Sequence, residues 1–482
     1  MTLSSAINSA RSGIFATSRS IAVVSDNLAN ALTPGYSRRS VELSTRVHGV
    51  PGVHVTGITR ANDPGILENR RTVEAEHKAA ESRESFYKGI SDSVGTVDDP
   101  SSLASFQSNF DAALIEASSR PDSVQRLNAL SAAAGEYVEA INRAANEIAN
   151  QRNAAERSIE QQVEAVNASL KEIEKLNARI VLAEAAGNET VALMDQRDQA
   201  IDRVNTIVPV KVVPRQNGQV ALFSHGGSIL LDGRANELTF NGKRDLTPYM
   251  TQASGALSGI EISGLSIRTG QNGAMKGGTL AEAFEIRDVY SVDAQAELDM
   301  VARDLIERFQ DPTLDTTLGA TDAGLFTDEG AFFDPTNELG IANRLSLNDV
   351  VAIDGAGETW RLRDGLNAAA PGNAGDATLL RGYSEALDES RSVVVPTLGA
   401  VNVTAATLAA DVMSRFAHAH ENSRISLSFT AASFTEAHEM ELAEGVDTDA
   451  ELQSLLAIEK AYAANARVLS VVDELMETIL RI

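Results

Sequence analysis

Residues 3–30 read LSSAINSARSGIFATSRSIAVVSDNLAN, and apolar or small side chains recur at Leu3, Ile7, Ala10, Ile14, Thr17, Ile21, Val24 and Leu28. The steps alternate four and three, the spacing of an a/d seam. The other faces carry Ser, Asn, Arg and Asp. A helix of this length is about 40 Å long, and nothing near it in sequence offers a partner. The end of the chain repeats the design. Thr448 and Glu451 have capping-box spacing, and a stripe follows through Leu452, Leu455, Tyr462, Ala466, Leu469, Met476 and Leu480, interrupted by Glu459 and Asp473. Two amphipathic helices at opposite ends most simply pair with each other. The alternative is that each docks separately on its nearest domain.

Between Asp122 and Ala186 there is no proline and a single glycine, Gly135. Leu127, Leu130, Ala134, Tyr137, Ile141, Ala145, Ile148, Ala155, Ile159, Val163, Val166, Leu170, Ile173 and Ile180 keep nearly heptad spacing through it. About 60 helical residues span roughly 90 Å, which predicts one rod or two rods folded as a hairpin. From Ile207 the period becomes two. Val210/Val212, Val220/Leu222, Ile229/Leu231, Leu238/Phe240 and Ile260/Ile262 alternate between Gly- or Asn-containing turns, the pattern of a β-rich insert. A helix returns over about Thr279–Phe309. Residues Asp311–Gly399 are punctuated by Gly, Asp and Pro, with strand-like Arg344–Ile353 and Thr359–Leu362, and helical pattern resumes near Asn402.

The expected class is multidomain α+β: a terminal-helix coiled coil, a long helical bundle domain and inserted β-rich outer parts, nested discontinuously. The expected divisions are 1–45 with 440–482 as the coiled-coil core, 46–206 with 402–439 as a mainly helical domain, 207–278 as the β-rich insert, 279–310 as a helix returning to the helical domain, and 311–401 as a β-containing lobe. A length of 482 residues suits two to four domains.

Lys and Arg number 41 against 67 Asp and Glu, so the formal charge is 41 − 67 = −26. That balance opposes nucleic-acid binding, which needs cationic side chains to displace counterions. The absence of cysteine excludes disulfides, thiolate metal sites and cysteine nucleophiles. No secretory leader and no apolar run of membrane-spanning length are read from the sequence. His418 and His420 are two apart and point to different faces of a helix. No HExxH, GxSxG or complete phosphate-loop motif occurs; Gly273–Thr279 lacks the Gly-Lys-Ser/Thr ending. The spacing of Asp311, Asp315 and Asp322 is too loose for an EF-hand loop. No catalytic residue, cofactor or metal ligand is expected.

One segment stands apart: Asn27, then Asn30-Ala31-Leu32-Thr33-Pro34-Gly35-Tyr36-Ser37-Arg38. The two asparagines suit backbone groups freed where the first helix ends. Pro34-Gly35 forces a turn, and Tyr36 supplies an amphipathic anchor beyond it.

Ala29–Arg38 resembles the ANxxTPGYSR signature of the flagellar axial proteins, the family of rod, hook and hook-associated proteins, with Leu32 in place of the usual Asn. Phe106, Phe110, Leu114 and Ser119-Arg120-Pro121, the run Leu193-Met194-Asp195-Gln196-Arg197-Asp198, and Gly277-Gly278-Thr279-Leu280 through Phe284-Glu285-Ile286-Arg287-Asp288 resemble motifs of its hook-associated members. Gly445-Val446-Asp447 and Glu459–Arg467 resemble the family's closing elements, with Glu459 and Lys460 replacing glutamines. The resemblance implies a structural, non-enzymatic adaptor joining hook to filament. It implies type III export, terminal helices paired in the axial tube, an extracellular place on the flagellum after a transient cytoplasmic stage, and no membrane insertion. Implied partners are neighbouring copies, hook protein, hook-associated protein 3 and a cytoplasmic export chaperone on the C-terminal helix. Another axial protein, hook protein or hook-associated protein 3, is the alternative, against which the DQRD and GGTL segments argue. A surface-exported hydrolase is a third, for which no motif speaks.

Overall fold

The structure, a computed structural model, describes residues 3–33, 35–45, 52–96, 98–395 and 399–481. Helix α1 (Leu3–Ala29) is followed by an antiparallel hairpin, β1 (Arg39–Thr45) and β2 (Val53–Arg60), with a bulge between Glu42 and Leu43. α2 (Pro64–Val94) starts on Asp63, whose carboxylate accepts from the Gly65 N–H at 2.7 Å, with Pro64 in the first turn where its missing N–H costs nothing. α3 (Leu103–Ser119) is capped by Ser102.

The rod is one continuous helix, α4 (Val124–Ala185), 62 residues and so about 93 Å long. It is not a hairpin. α5 (Val191–Ile207) folds back along its end.

Every alternating pair beyond it is a strand. β3 (Val210–Pro214), β4 (Val220–Ser224), β5 (Ile229–Asp232) and β6 (Arg234–Ala235) form one meander. β7 (Leu238–Phe240), β8 (Ile260–Ile262) and β9 (Leu265–Ile267) form another. α6 (Thr279–Glu285) passes through a π turn at Ile286–Tyr290 into α7 (Ser291–Phe309). β10 (Phe326–Asp328) pairs with β11 (Leu345–Leu347), which follows the short α8 (Ile341–Arg344). α9 (Arg361–Asp364), α10 (Thr378–Asp388) and the hairpin β12 (Arg391–Val395) and β13 (Gly399–Val403) precede α11 (Ala405–Ala443), which lies along α2. α12 (Thr448–Leu480) then lies along α1.

Two strand expectations need correction. Only Leu345–Leu347 of Arg344–Ile353 is extended, and Thr359–Leu362 is no strand but runs into helix α9. Arg361 holds that turn, its Nη1 donating to Leu366 O at 2.8 Å and Ala368 O at 2.7 Å while Nε meets Glu358 Oε2 at 2.5 Å.

Two hydrophobic cores share α4. The first takes Leu127 through Ile148 of the rod with Phe86, Phe110, Phe309, Phe326, Tyr383 and the start of α11, so residues 311–401 pack into the same core as the rod's first half. Phe309 sits 5.1 Å from Phe326 and 5.2 Å from Tyr383 between ring centroids, within aromatic contact range. The second core takes Ile159 through Ile173 with α5, the strands and Phe284. Between the cores the rod buries two charges, Arg152 and Glu156.

Candidate functional site

The residues that follow α1 make a junction between the terminal helices and the helical body. Asn27, fully buried, is its clamp: Nδ2 donates to Arg39 O at 2.8 Å, while Oδ1 accepts from Arg39 N and from the Tyr36 hydroxyl, both at 2.9 Å. Asn30 is less committed, donating to Asp26 O at 2.9 Å and lying 3.4 Å from the Thr33 hydroxyl. Pro34 lies outside the described residues. Gly35 has φ +74, the left-handed region glycine adopts freely, and a Cβ there would meet Gln199 on α5. Burial raises the Tyr36 hydroxyl pKa, Arg39 opposing it from 4.7 Å over the ring.

α5 presents Asp195, Asp198 and Asp202 at i, i+3 and i+7, one helix face. Arg39 reaches Asp195 at 2.8 Å. Arg60 of β2 lies 2.9 Å from Asp195 and 2.6 Å from Asp198, and donates to the Ser37 hydroxyl at 2.9 Å. Arg70 and Arg71 of α2 meet Asp202 at 2.9 and 2.5 Å, and Arg70 continues to Glu441 of α11 at 3.0 Å. Arg38 closes the circuit on Glu451 of α12 at 2.7 Å. Burial raises the Asp195 pKa, with Arg39 and Arg60 opposing it. Arg197 points the other way, donating to Asn177 Oδ1 at 3.1 Å and to Gly218 O at 2.6 Å, so the DQRD run bridges the junction to the β-rich part. Gln196, in the same run, is exposed.

The second motif forms the stem of the β-rich insert. Gly277 has φ +96, and a Cβ on Gly278 would lie 2.3 Å from Ile207 O. Arg287 is fully buried, paired with Glu156 at 2.6 Å and with Asp288 at 2.7 Å.

The terminal seams are partly covered. On α1, Leu3, Ile7, Ile14 and Ile21 are half-buried and Val24 is buried, but Leu28 is 36% exposed. On α12 the inward line differs from the expected stripe. Leu455, Ala466 and Leu469 are half-buried, while Leu452, Tyr462, Met476 and Leu480 are exposed; Ile458 and Val472 take their places inward. The reason is that α12 carries apolar side chains on more than one face, so the expected stripe crosses between the outer face, at Leu452, Tyr462, Met476 and Leu480, and the inner one, at Leu455, Ala466 and Leu469. The expected capping box is also absent. Asp447 caps the helix, accepting from Asp449 N at 2.9 Å and Ala450 N at 3.0 Å, and Glu451 turns to Arg38 instead.

The sequence reading missed Arg39, Arg60, Arg70, Arg71, Asp202 and Glu441. The carboxylates at 195, 198 and 202 were the available signal; their arginine partners lie more than a hundred residues away.

Replacing Asn27 by Ala removes one donor and one doubly used acceptor from a buried site. About 2–3 kcal/mol of local stability should be lost. Hydrogen exchange at the Tyr36 and Arg39 amides should accelerate roughly 30–150-fold, whereas Asn30→Ala, at an exposed site, should leave them within about threefold.

Among the described residues no group of His, Asp and Glu is arranged to hold a metal ion, and no helix is long and apolar enough to cross a membrane. Comparison with known proteins supplies the class. A family profile described as the helical domain of flagellar hook-associated protein FlgK matches residues 92–326. Profiles of the flagella basal body rod protein and of the C-terminal region of the flagellar basal body rod FlgEFG proteins match 7–36 and 442–482. Flagellar hook-associated protein 1 of Bacillus subtilis is 23% identical over 98% of this chain and 97% of that protein. Its namesake in Salmonella typhimurium is 27% identical over 57% of this chain and 51% of that protein, about half its length. The flagellar hook junction protein FlgK from Burkholderia pseudomallei aligns with a TM-score of 0.44 at 17% identity, over 54% of this chain and 46% of that one. Rod-type motifs at both ends of a helical body define a flagellar axial protein. Its similarity to flagellar hook-associated protein 1 runs over nearly the whole chain, and together the matches mark a flagellar hook-associated structural protein.

Proposed function

We propose that the chain joins hook to filament by burying, between neighbouring copies, apolar surface that its own α1–α12 pair leaves open. The carrying observation is the outer face of α12, where Leu456, Val468, Val471, Leu475 and Ile479 are 44–61% exposed. Large apolar side chains left exposed repeatedly along one helix mark an interaction surface. The junction of Asn27, Tyr36, Arg38 and Arg39 with Asp195, Asp198 and Glu451 then fixes the terminal pair to the body, so force on the tube reaches the outer parts. In this reading the divisions 1–45 with 440–482, 46–206 with 402–439, 207–278, 279–310 and 311–401 act as nested units, termini innermost and β-rich parts outermost. Hook protein lies on one side and hook-associated protein 3 on the other. Before export through the type III apparatus, a chaperone covers the same exposed face of α12, which offers anchors at helical spacing to a groove. No catalytic step is involved.

Leu456, Val471 and Leu475 are each about half exposed, so changing all three to Ser should leave the monomer's unfolding midpoint nearly unchanged. In cells lacking the native gene, the intact chain should restore attached filaments. The triple variant should leave bare hooks and filament protein in the medium. Attached filaments with the triple variant would sink the proposal.

A further inference from the structure

The outermost line of α1 runs Ser4, Asn8, Arg11, Phe15, Ser18, Ala22, Ser25 and Ala29, all exposed and spaced alternately four and three. Seven of the eight are small or polar. The eighth, Phe15, is a phenyl ring 67% exposed in mid-helix. Arg11, one turn before it, has no ion-pair partner among the described residues. A lone aromatic knob on a smooth stripe needs a hole, and α12 lies on the other side of α1.

A hole of matching character exists on the same chain. Beside the bend after α1, the start of α2 and the end of α11 enclose a groove of about 620 Å³. Leu32, 98% exposed, and Leu442, 62% exposed, stand at the groove, with Phe434 and Val446 also lining it. Its arginines are already paired: Arg38 to Glu451, Arg60 to Asp195 and Asp198, Arg70 to Glu74, Asp202 and Glu441. Asp63 and Glu444, also in the lining, have no ion-pair partner among the described residues. The groove therefore sets apolar side chains, Leu32, Ile66, Leu67, Phe434, Leu442 and Val446, within a charged lining of surplus negative charge, and the knob is apolar with a positive neighbour.

Phe15 sits about 21 Å along α1 from Ala29, so it cannot fill the groove of its own molecule. We propose that Phe15 of one copy seats in the Leu32–Leu442 groove of the next, with Arg11 facing Asp63 and Glu444. Knob and groove are different surfaces of one chain, so the contact is heterologous and repeats from copy to copy. It rests on the junction reading above and gives that assembly a register: each copy is displaced along the helix axis from the last.

The chain has no cysteine, which makes the test clean. Full-length Ser18→Cys chains, which keep Phe15 and place the thiol one turn from it on the same line, and Leu442→Cys chains are co-expressed in cells lacking the native gene, and isolated junctions are treated with a short bis-maleimide. The expected product is a covalent pair formed between the two variants, and a ladder from the chain carrying both changes. Ser18→Cys with Leu265→Cys, at a 73% exposed strand residue away from the groove, serves as the comparison. A yield no higher than that comparison, in junctions that hold filaments, overturns the contact and leaves the junction reading standing. Failure of the unaltered chain to hold filaments overturns both. Phe15→Ala should lower the number of attached filaments roughly tenfold with an unchanged monomer unfolding midpoint; undiminished attachment overturns the contact as well.

Discussion

Replacing Arg287 by Met should lower the unfolding free energy by about 3–5 kcal/mol, the cost of leaving a buried charge uncompensated. Its guanidinium donates from Nη1 to Glu156 Oε2 at 2.6 Å, from Nε and Nη2 to both oxygens of Asp288 at 2.9 and 2.7 Å, and from Nη2 to Ser258 O at 3.2 Å. The plane lies 4.7 Å from the Phe284 ring centroid. Burial opposes the charge, but Asp288 and Glu156 outweigh it and hold the pKa above its ordinary value. Glu156 is as deeply placed, and its other oxygen accepts from Lys243 N at 2.8 Å. Methionine fills similar space but leaves Glu156 and Asp288 facing an apolar wall. Urea unfolding followed by far-ultraviolet circular dichroism reads the loss. The double change Arg287→Met with Glu156→Gln should recover about 1–3 kcal/mol, because coupled neighbours are not additive. Full additivity of the two single losses would show that the pair is not coupled. Arg287→Lys should fall between, since a point charge replaces a fork that matches Asp288.

This pair also shows what local reading could and could not reach. The rod was legible because one period persisted for some sixty residues without proline, and nothing short-range competed with it. The strands were legible because alternation coincided with glycine and asparagine turns. Arg287 and Asp288 were noticed only as part of a motif. The partner of Arg287, Glu156, lies 131 positions away, inside the rod, where Glu reads as a solvated face. The Arg38–Glu451 pair spans 413 positions and took Glu451 away from the capping role its spacing suggested. Thr359–Leu362 alternates like a strand, but Arg361 can satisfy two carbonyls beyond it, and those bonds close a helical turn instead. Where a segment's own pattern and its tertiary bonds agree, sequence suffices; where a long-range charge is buried, the local pattern is overruled.

Gly278→Ala should cost about 3 kcal/mol or more, an overpacking loss at the upper end of its range. The conformation is not the obstacle: φ is −113, open to any residue. The obstacle is space, because the new methyl would lie 2.3 Å from Ile207 O and 2.8 Å from both Ile207 C and Pro209 Cδ. Backbone atoms cannot rotate aside as a side chain would. Residues 207–209 and 277–278 are the two ends of the β-rich insert, and Thr279 ties them further, its hydroxyl donating to Gln162 Oε1 at 2.8 Å and to Thr206 O at 3.3 Å. A methyl group at 278 therefore wedges the stem open and loosens the second core, whose Leu280, Ala283 and Phe284 follow directly. Gly187→Ala is the counterpart: φ is +69 and no atom lies within 4 Å, so only backbone strain applies, about 1–2 kcal/mol. Thermal unfolding of the two variants separates the causes. If Gly278→Ala is no worse than Gly187→Ala, the stem has slack, and the close crossing of its two segments is not what holds the insert to the rod.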